Sequence, residues 1–200
     1  MKSTNIDVRQ HILDTGRRLI LGKGFTAVGL NEILSTAGVP KGSFYYYFKS
    51  KEAFGAALLE AYFADYLART DALLSDELMP AAQRLMRYWQ GWMSKGENDC
   101  LESTCLVVKL SAEVSDLSEA MRMALLDGTR QIIERLASCL RQGAVDGSLS
   151  GLLDAPQTAL ALYELWLGAA LLTKLRRERS ALDTALFTTL RLLGLPGPVA

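Results

Sequence analysis

Two hundred residues, half of them apolar, suffice for one medium domain or for a small domain joined to a larger one, and they exclude an intrinsically disordered chain. Basic and acidic residues balance at 22 each, yet residues 1–51 hold eight basic against three acidic residues, a net +5, which leaves −5 on the remainder. This asymmetry suggests a module for phosphates attached to a module with another task, with chance scatter as the competing reading.

Taken in chain order, apolar residues recur at three- and four-residue steps over Ile6–Leu21, Leu30–Ala37, Phe54–Leu74, Leu85–Met93, Met121–Leu140, Leu160–Leu175 and Leu182–Leu193. No alternating strand pattern survives, so the predicted fold class is all-α. Breaks fall at Gly22-Lys23-Gly24, Gly38-Val39-Pro40, Met79-Pro80, Lys95-Gly96, Gly143 to Gly151 and Ala155-Pro156. From Ala155 to Thr173 the sole charge is Glu164. A carboxylate in mid-span would cost about 2.5 to 3.5 kcal/mol in a bilayer, so this segment is expected as a buried helix, with no membrane partner.

Cysteines at 100, 105 and 139 lack paired-ligand spacing and His11 is the single histidine, which disfavours metal chemistry; no cofactor is expected. No apolar stretch of signal-peptide length opens the chain, so a cytoplasmic protein with reduced thiols is expected.

The informative stretch is residues 24–51, GFTAVGLNEILSTAGVPKGSFYYYFKSK. Leu30, Ile33 and Leu34 give a short helix an apolar face, Gly38 ends it, and Pro40 suits the start of the next, because its fixed φ and missing N–H are tolerated there. Two short helices across a tight turn with glycine are the helix-turn-helix pattern. In the second helix Phe44 and Phe48 lie four residues apart and face inward, leaving Lys41, Ser43, Tyr46 and Tyr47 outward. Phenols on such a surface reach phosphate oxygens, sugars or thymine methyls, and Lys41 reaches a base edge or a phosphate. Tyr45 has a packing role as its alternative, but three successive tyrosines project about 100° apart and cannot all enter one core.

Gly24-Phe25-Thr26 together with residues 39–52, VPKGSFYYYFKSKE, resembles the DNA-binding motif of the tetracycline-repressor (TetR) family of bacterial transcription regulators. The resemblance implies an N-terminal three-helix helix-turn-helix DNA-binding domain, set here at residues 1–51, and a C-terminal helical-bundle sensor and dimerisation domain over residues 52–195. It implies a homodimer on a near-palindromic double-stranded operator. Thr26 and Lys51 would touch backbone phosphates, Lys41, Gly42, Ser43, Tyr45 and Tyr46 would meet the major groove, and Tyr47, where the family often has histidine, would hold phosphate. The apolar segments Leu160–Leu175 and Leu182–Leu193 independently suggest a four-helix dimer interface, with burial inside one chain as the alternative.

Residues 105–119, CLVVKLSAEVSDLSE, resemble the middle of an electrophile- and chlorine-oxidant-responsive regulator of the same family, as do residues 40–54 and the stretch from Leu165 to Lys174. Ser103 and Thr104 are plausible caps that would place Cys105 in a first helical turn, where free N–H groups favour a thiolate. Glu97, Asp99 and Glu102 oppose the anion, and Lys174 is the candidate cation to offset them. The competing reading of Cys105 is a small buried hydrophobe. Cys139 is expected in the core, Cys100 in a loop, and His11 on a solvated helix face.

Three functions follow: a repressor released when Cys105 is modified; a repressor induced by reversible binding of an apolar small molecule near Trp89, Trp92, Met93, Tyr163 or Trp166; and, remotely, a cysteine-dependent enzyme. The last lacks a base for the thiol, so no enzymatic activity is expected.

Overall fold

The computed structural model describes residues 4–93, 100–149 and 154–197, with side chains described at 8–93, 106–149 and 154–197. Among these residues the chain is helical and without strands: α1 (Thr4–Lys23), α2 (Leu30–Ala37), α3 (Lys41–Tyr47), α4 (Lys51–Leu74), α5 (Ala81–Met93), α6 (Cys100–Val114), α7 (Glu119–Val145), α8 (Ala155–Arg176) and α9 (Ser180–Leu192). Two compact units result, one of residues 1–64 and 105–128, the other of residues 65–104 and 129–200, with the divisions falling inside α4, α6 and α7.

The first unit is built on an aromatic and aliphatic core. Ile12, Ile20, Ile33, Phe44, Phe54 and Met121 are fully buried. The Phe44, Phe48 and Phe54 rings lie within 5.2 to 5.5 Å of one another, a spacing at which tilted and edge-on aromatic pairs add to simple burial. Gly38 ends α2 in the left-handed conformation, φ 65°, and its N–H and that of Val39 return to the carbonyls of Ser35 and Leu34, so the chain turns without a β-carbon in the way. His11 is exposed on α1 as expected, and it also bridges two helices: its Nε2 lies 3.0 Å from the Ala37 carbonyl at the end of α2.

The second unit is centred on indole rings. Trp89 and Trp166 stack with centroids 5.0 Å apart and planes 11° apart, and the Trp166 indole donates to Thr189 Oγ1 at 2.8 Å. The start of α5 is capped from afar, since Asp146 accepts from the Ala81 N–H at 2.8 Å and Ser148 from the Ala82 N–H at 3.1 Å. These bonds satisfy donors that a helix start leaves open. Asp154 caps α8 by accepting from the Gln157 N–H at 3.0 Å, and Pro156 fits the first turn.

The α8 helix is long and apolar enough to cross a membrane by length and composition. One face is buried through Leu162, Tyr163, Trp166 and Ala169 and packs largely on α9. The expectation of a buried helix holds for that face alone, because Leu171, Leu172 and Leu175 are exposed. Phe187 and Leu192 on α9 are exposed as well.

Because Phe54 touches both Phe44 and Phe48 and has no solvent exposure, Phe54→Ala is expected to lower the unfolding free energy by about 3 to 5 kcal/mol in urea melts. A loss below about 1 kcal/mol would contradict this packing.

Candidate functional site

The helix α3 owes its orientation to its neighbours. Pro40 precedes it in extended conformation, φ −71° and ψ 153°, and the Ser43 N–H closes the first turn on the Pro40 carbonyl at 3.0 Å. Burial of Phe44 fixes the helix's rotation, which turns Lys41, Gly42, Tyr45 and Tyr46 to solvent. Tyr46 is 75% exposed and Tyr45 48%. The Lys41 Nζ lies 5.8 Å from the Tyr45 ring centroid, and Tyr45 sets an edge against Phe44 at 5.6 Å. The packing alternative for Tyr45 is thus half met: one edge is held and the rest is open.

Ser43 and Tyr47 are less outward than the helical spacing suggests, for both are half-buried. Tyr47 is the last residue of α3, where the chain leaves the helix at Phe48. Its ring meets that of Tyr46 at 4.9 Å and that of Phe48 at 6.2 Å. Together, residues 41–46 form a short ridge of one cation and two phenols.

The other two residues assigned to phosphate contacts, Thr26 and Lys51, take part in backbone hydrogen bonds. Thr26 is exposed, and its N–H donates to Glu113 Oε1 at 2.6 Å. The Phe25 N–H donates to Glu113 Oε2 at 3.1 Å. Lys51, at the start of α4, is half-buried; its Nζ donates to the Phe25 carbonyl at 2.7 Å and lies 4.5 Å from the Phe25 ring centroid. Lys51 therefore anchors the α1–α2 loop. Burial alone would raise the Glu113 pKa, but the Thr26 and Phe25 N–H bonds and the charge of Lys109 outweigh it and hold the carboxyl below its usual range. Lys109 itself donates from Nζ to the Leu21 and Gly22 carbonyls at 2.5 and 2.9 Å.

Lys109 and Glu113 are given no role by the sequence reading, in which they appear only within the stretch 105–119. The available signal is their spacing: isolated opposite charges one turn apart lie on one face of α6.

The sensing candidates divide differently. The backbone of α6 begins at Cys100, so Ser103 and Thr104 lie within the helix and do not cap it, and Cys105 is past the first turn. The support expected from free first-turn N–H groups is absent there, since those groups belong to the helix start. Cys100 is likewise helical and not in a loop. The side chains of Cys100 and Cys105 lie outside the described residues, as do Glu97 and Asp99. Lys174 is exposed on α8.

Trp89, Trp92, Tyr163 and Trp166 do gather, with Trp92 edge-on to Tyr163 at 6.2 Å and to Trp166 at 6.0 Å, and Met93 is buried one residue further along α5. The Nε1–H groups of Trp89 and Trp92 are buried without an acceptor. Burial raises the Tyr163 pKa above its ordinary value. An open groove of about 740 Å³ lies elsewhere in the second unit, at Pro80, Arg84, Gln142 and Asp146, and none of the five residues lines it.

Cys139 is 1% exposed, and desolvation, countered in part by Arg84 and reinforced by Asp146, pushes its thiol up to about 11. Only a small thiolate fraction is present at neutral pH. Mass spectrometry of folded protein treated briefly with N-ethylmaleimide at pH 7 should find Cys139 unlabelled. Labelling there at the rate of a free thiol would show that the core opens.

Residues 12–58 match the family described as bacterial regulatory proteins, tetR family, and residues 81–188 match the tetracyclin repressor-like C-terminal domain. The chain is 44% identical over 195 residues to the HTH-type transcriptional repressor NemR of Escherichia coli, covering 98% of each chain. It is 34% identical over 176 residues to the HTH-type transcriptional repressor DhaR of a Mycobacterium species, covering 88% of this chain and 87% of that one. Among solved structures, the reduced form of E. coli NemR superposes with a TM-score of 0.88 at 44% identity, covering 96% of this chain and 99% of that chain. The regulatory protein TetR from Rhodobacter sphaeroides gives 0.79 at 32% identity, covering 91% of this chain and 96% of that one.

Proposed function

We propose, from the premise that this chain belongs to the TetR family of bacterial transcriptional regulators, that it is a dimeric repressor of a near-palindromic operator, released when an electrophile or oxidant modifies Cys105. The coarser part is plain: the chain is a DNA-binding transcriptional repressor of this family and not an enzyme. The observation that carries the assignment of α3 to DNA is its exposed ridge, where a 75% exposed tyrosine stands on a helix whose Phe44 is fully buried. A phenol exposed to this degree gains hydrogen bonds and stacking against a duplex.

In this reading Lys41, Gly42, Ser43, Tyr45 and Tyr46 face the major groove, Tyr47 and Thr26 meet phosphates, and Lys51 contributes positive charge while it anchors the loop. One short helix reads a few base pairs, so two copies on one duplex supply the affinity and fix the half-site spacing. The exposed Leu171, Leu172, Leu175, Phe187 and Leu192 on the paired helices α8 and α9 support the second copy. The cytoplasm, where operator DNA and reducing conditions coincide, is the compartment that suits both roles.

Covalent sensing is supported by the near full-length identity to NemR, for which a structure is described as a reduced form. Lys174, exposed on α8, is the cation proposed to take part in sensing. Reversible induction has its own support in the two buried indole N–H groups of Trp89 and Trp92 that lack an acceptor. A small apolar molecule bearing a carbonyl would satisfy them.

The variants separate these readings. Lys41→Ala or Tyr46→Ala should weaken operator binding by about tenfold or more at fixed salt, with melting temperatures close to wild type. Cys105→Ser should bind the operator normally and stay bound when a quinone or hypochlorite is added. Release of that variant at the wild-type dose would remove covalent sensing in favour of the indole site, and unchanged affinity of both ridge variants would remove α3 from the interface.

A further inference from the structure

We propose that Lys109 and Glu113 are positioning residues: a two-point clamp through which α6, the helix that carries Cys105, holds the α1–α2 loop and with it the DNA-reading ridge. The inference rests on the function proposed above and adds to it the residues that tie the sensing helix to the reader.

The clamp is complementary in charge and direction. The carbonyls of Leu21 and Gly22 belong to the last turn of α1, the negative end of its dipole, and a cation placed there satisfies acceptors that the helix leaves open. Three residues later the polarity reverses. The Phe25 and Thr26 N–H groups point the same way, and a single carboxylate accepts both. Gly24 makes that reversal possible, because at φ 94° it turns the chain so that two successive N–H groups converge, and a β-carbon there would lie 3.0 Å from Glu113 Oε2. Ammonium and carboxylate stand four residues apart on α6, so both grips come from one face of one helix.

The loop so held is not a passive one. Phe25 is 4% exposed, and Lys51 holds its carbonyl and covers its ring. The chain runs on through Thr26 into α2, whose end carries His11 on the Ala37 carbonyl. These contacts fall within a single compact unit, which contains α6 from residue 105 onward together with residues 1–64. Cys105 lies one turn before Lys109 along α6, so a group added at Cys105 bears on the helix that makes both grips. Shifting α6 would pull on the loop's backbone, and the ridge would lose the arrangement in which two copies fit one duplex.

The test uses full-length protein and a duplex recovered by the wild type from a randomised pool. Glu113→Gln keeps the shape of the side chain and removes its charge. It should raise the dissociation constant by about tenfold or more and accelerate amide exchange at Phe25 and Thr26 by a similar factor, while the melting temperature stays near wild type. Lys109→Met should act alike, and Lys109→Arg, which keeps two donors on the same carbonyls, should restore affinity to within about threefold of wild type. A purely structural role would show as a lowered melting temperature with no rescue by arginine. Wild-type affinity and wild-type exchange in Glu113→Gln would overturn the proposal, as would failure of Lys109→Arg to improve on Lys109→Met. Should the wild type recover no duplex, the proposed function fails, and the exchange rates alone still decide the clamp.

Discussion

The burial of Phe44 and Phe48 against Phe54 gives the short helix α3 its direction, and what the molecule presents to DNA depends on that direction. Seven residues make too short a helix to be stable alone, so the helix exists because its phenylalanines are held. With Phe44 inward, the 100° step between residues leaves Tyr45 and Tyr46 on the other side. The same three-ring contact therefore stabilises the unit and selects which side chains are exposed. A substitution in the core would change DNA reading without touching the ridge.

Polar contacts then place the unit's backbone. Capping charges, a histidine and an anchored lysine attach the ends of α1 and α2 to their neighbours. Each of these bonds uses a backbone group that secondary structure leaves open, which makes the loop between α1 and α2 firm although it contains little regular structure. The second unit solves a different problem. Its indole cluster is packed ring on ring, and its helices α8 and α9 leave a row of apolar side chains exposed. An apolar row on a paired helix surface suits association with a second copy, and a dimer in turn is what lets short recognition helices reach useful affinity.

The sequence makes the helical architecture legible because the apolar periodicity is strong and the breaks are punctuated by glycine and proline. The segment 30–37 coincides with α2 since Gly29 and Gly38 flank it on both sides. A helix after Pro40 with Tyr46 outward is legible from the proline and from the four-residue spacing of Phe44 and Phe48, whereas the half-buried state of Ser43 and Tyr47 is not. The remainder is hidden where a contact joins distant residues. Nothing near Glu113 or Lys109 reveals that each reaches back almost ninety residues along the chain, and nothing near His11 points to Ala37. The start of α6 misleads for a local reason: Ser103 and Thr104 are good capping residues, but the helix already includes them, so capping preference yields to propagation of the helix. The tryptophans are legible as a cluster because they fall on apolar helix faces, while the stacking of Trp89 on Trp166 is a matter of packing that periodicity does not encode.

Photocrosslinking from α3 tests the central claim most directly. A chain carrying Tyr46→p-benzoylphenylalanine, irradiated on a duplex that it retains, should form covalent adducts with bases of that duplex. The same group introduced at Leu126, a half-exposed position on α7, should form none. Equal crosslinking from both positions, or crosslinking from Leu126 alone, would contradict the assignment of the tyrosine ridge to the DNA.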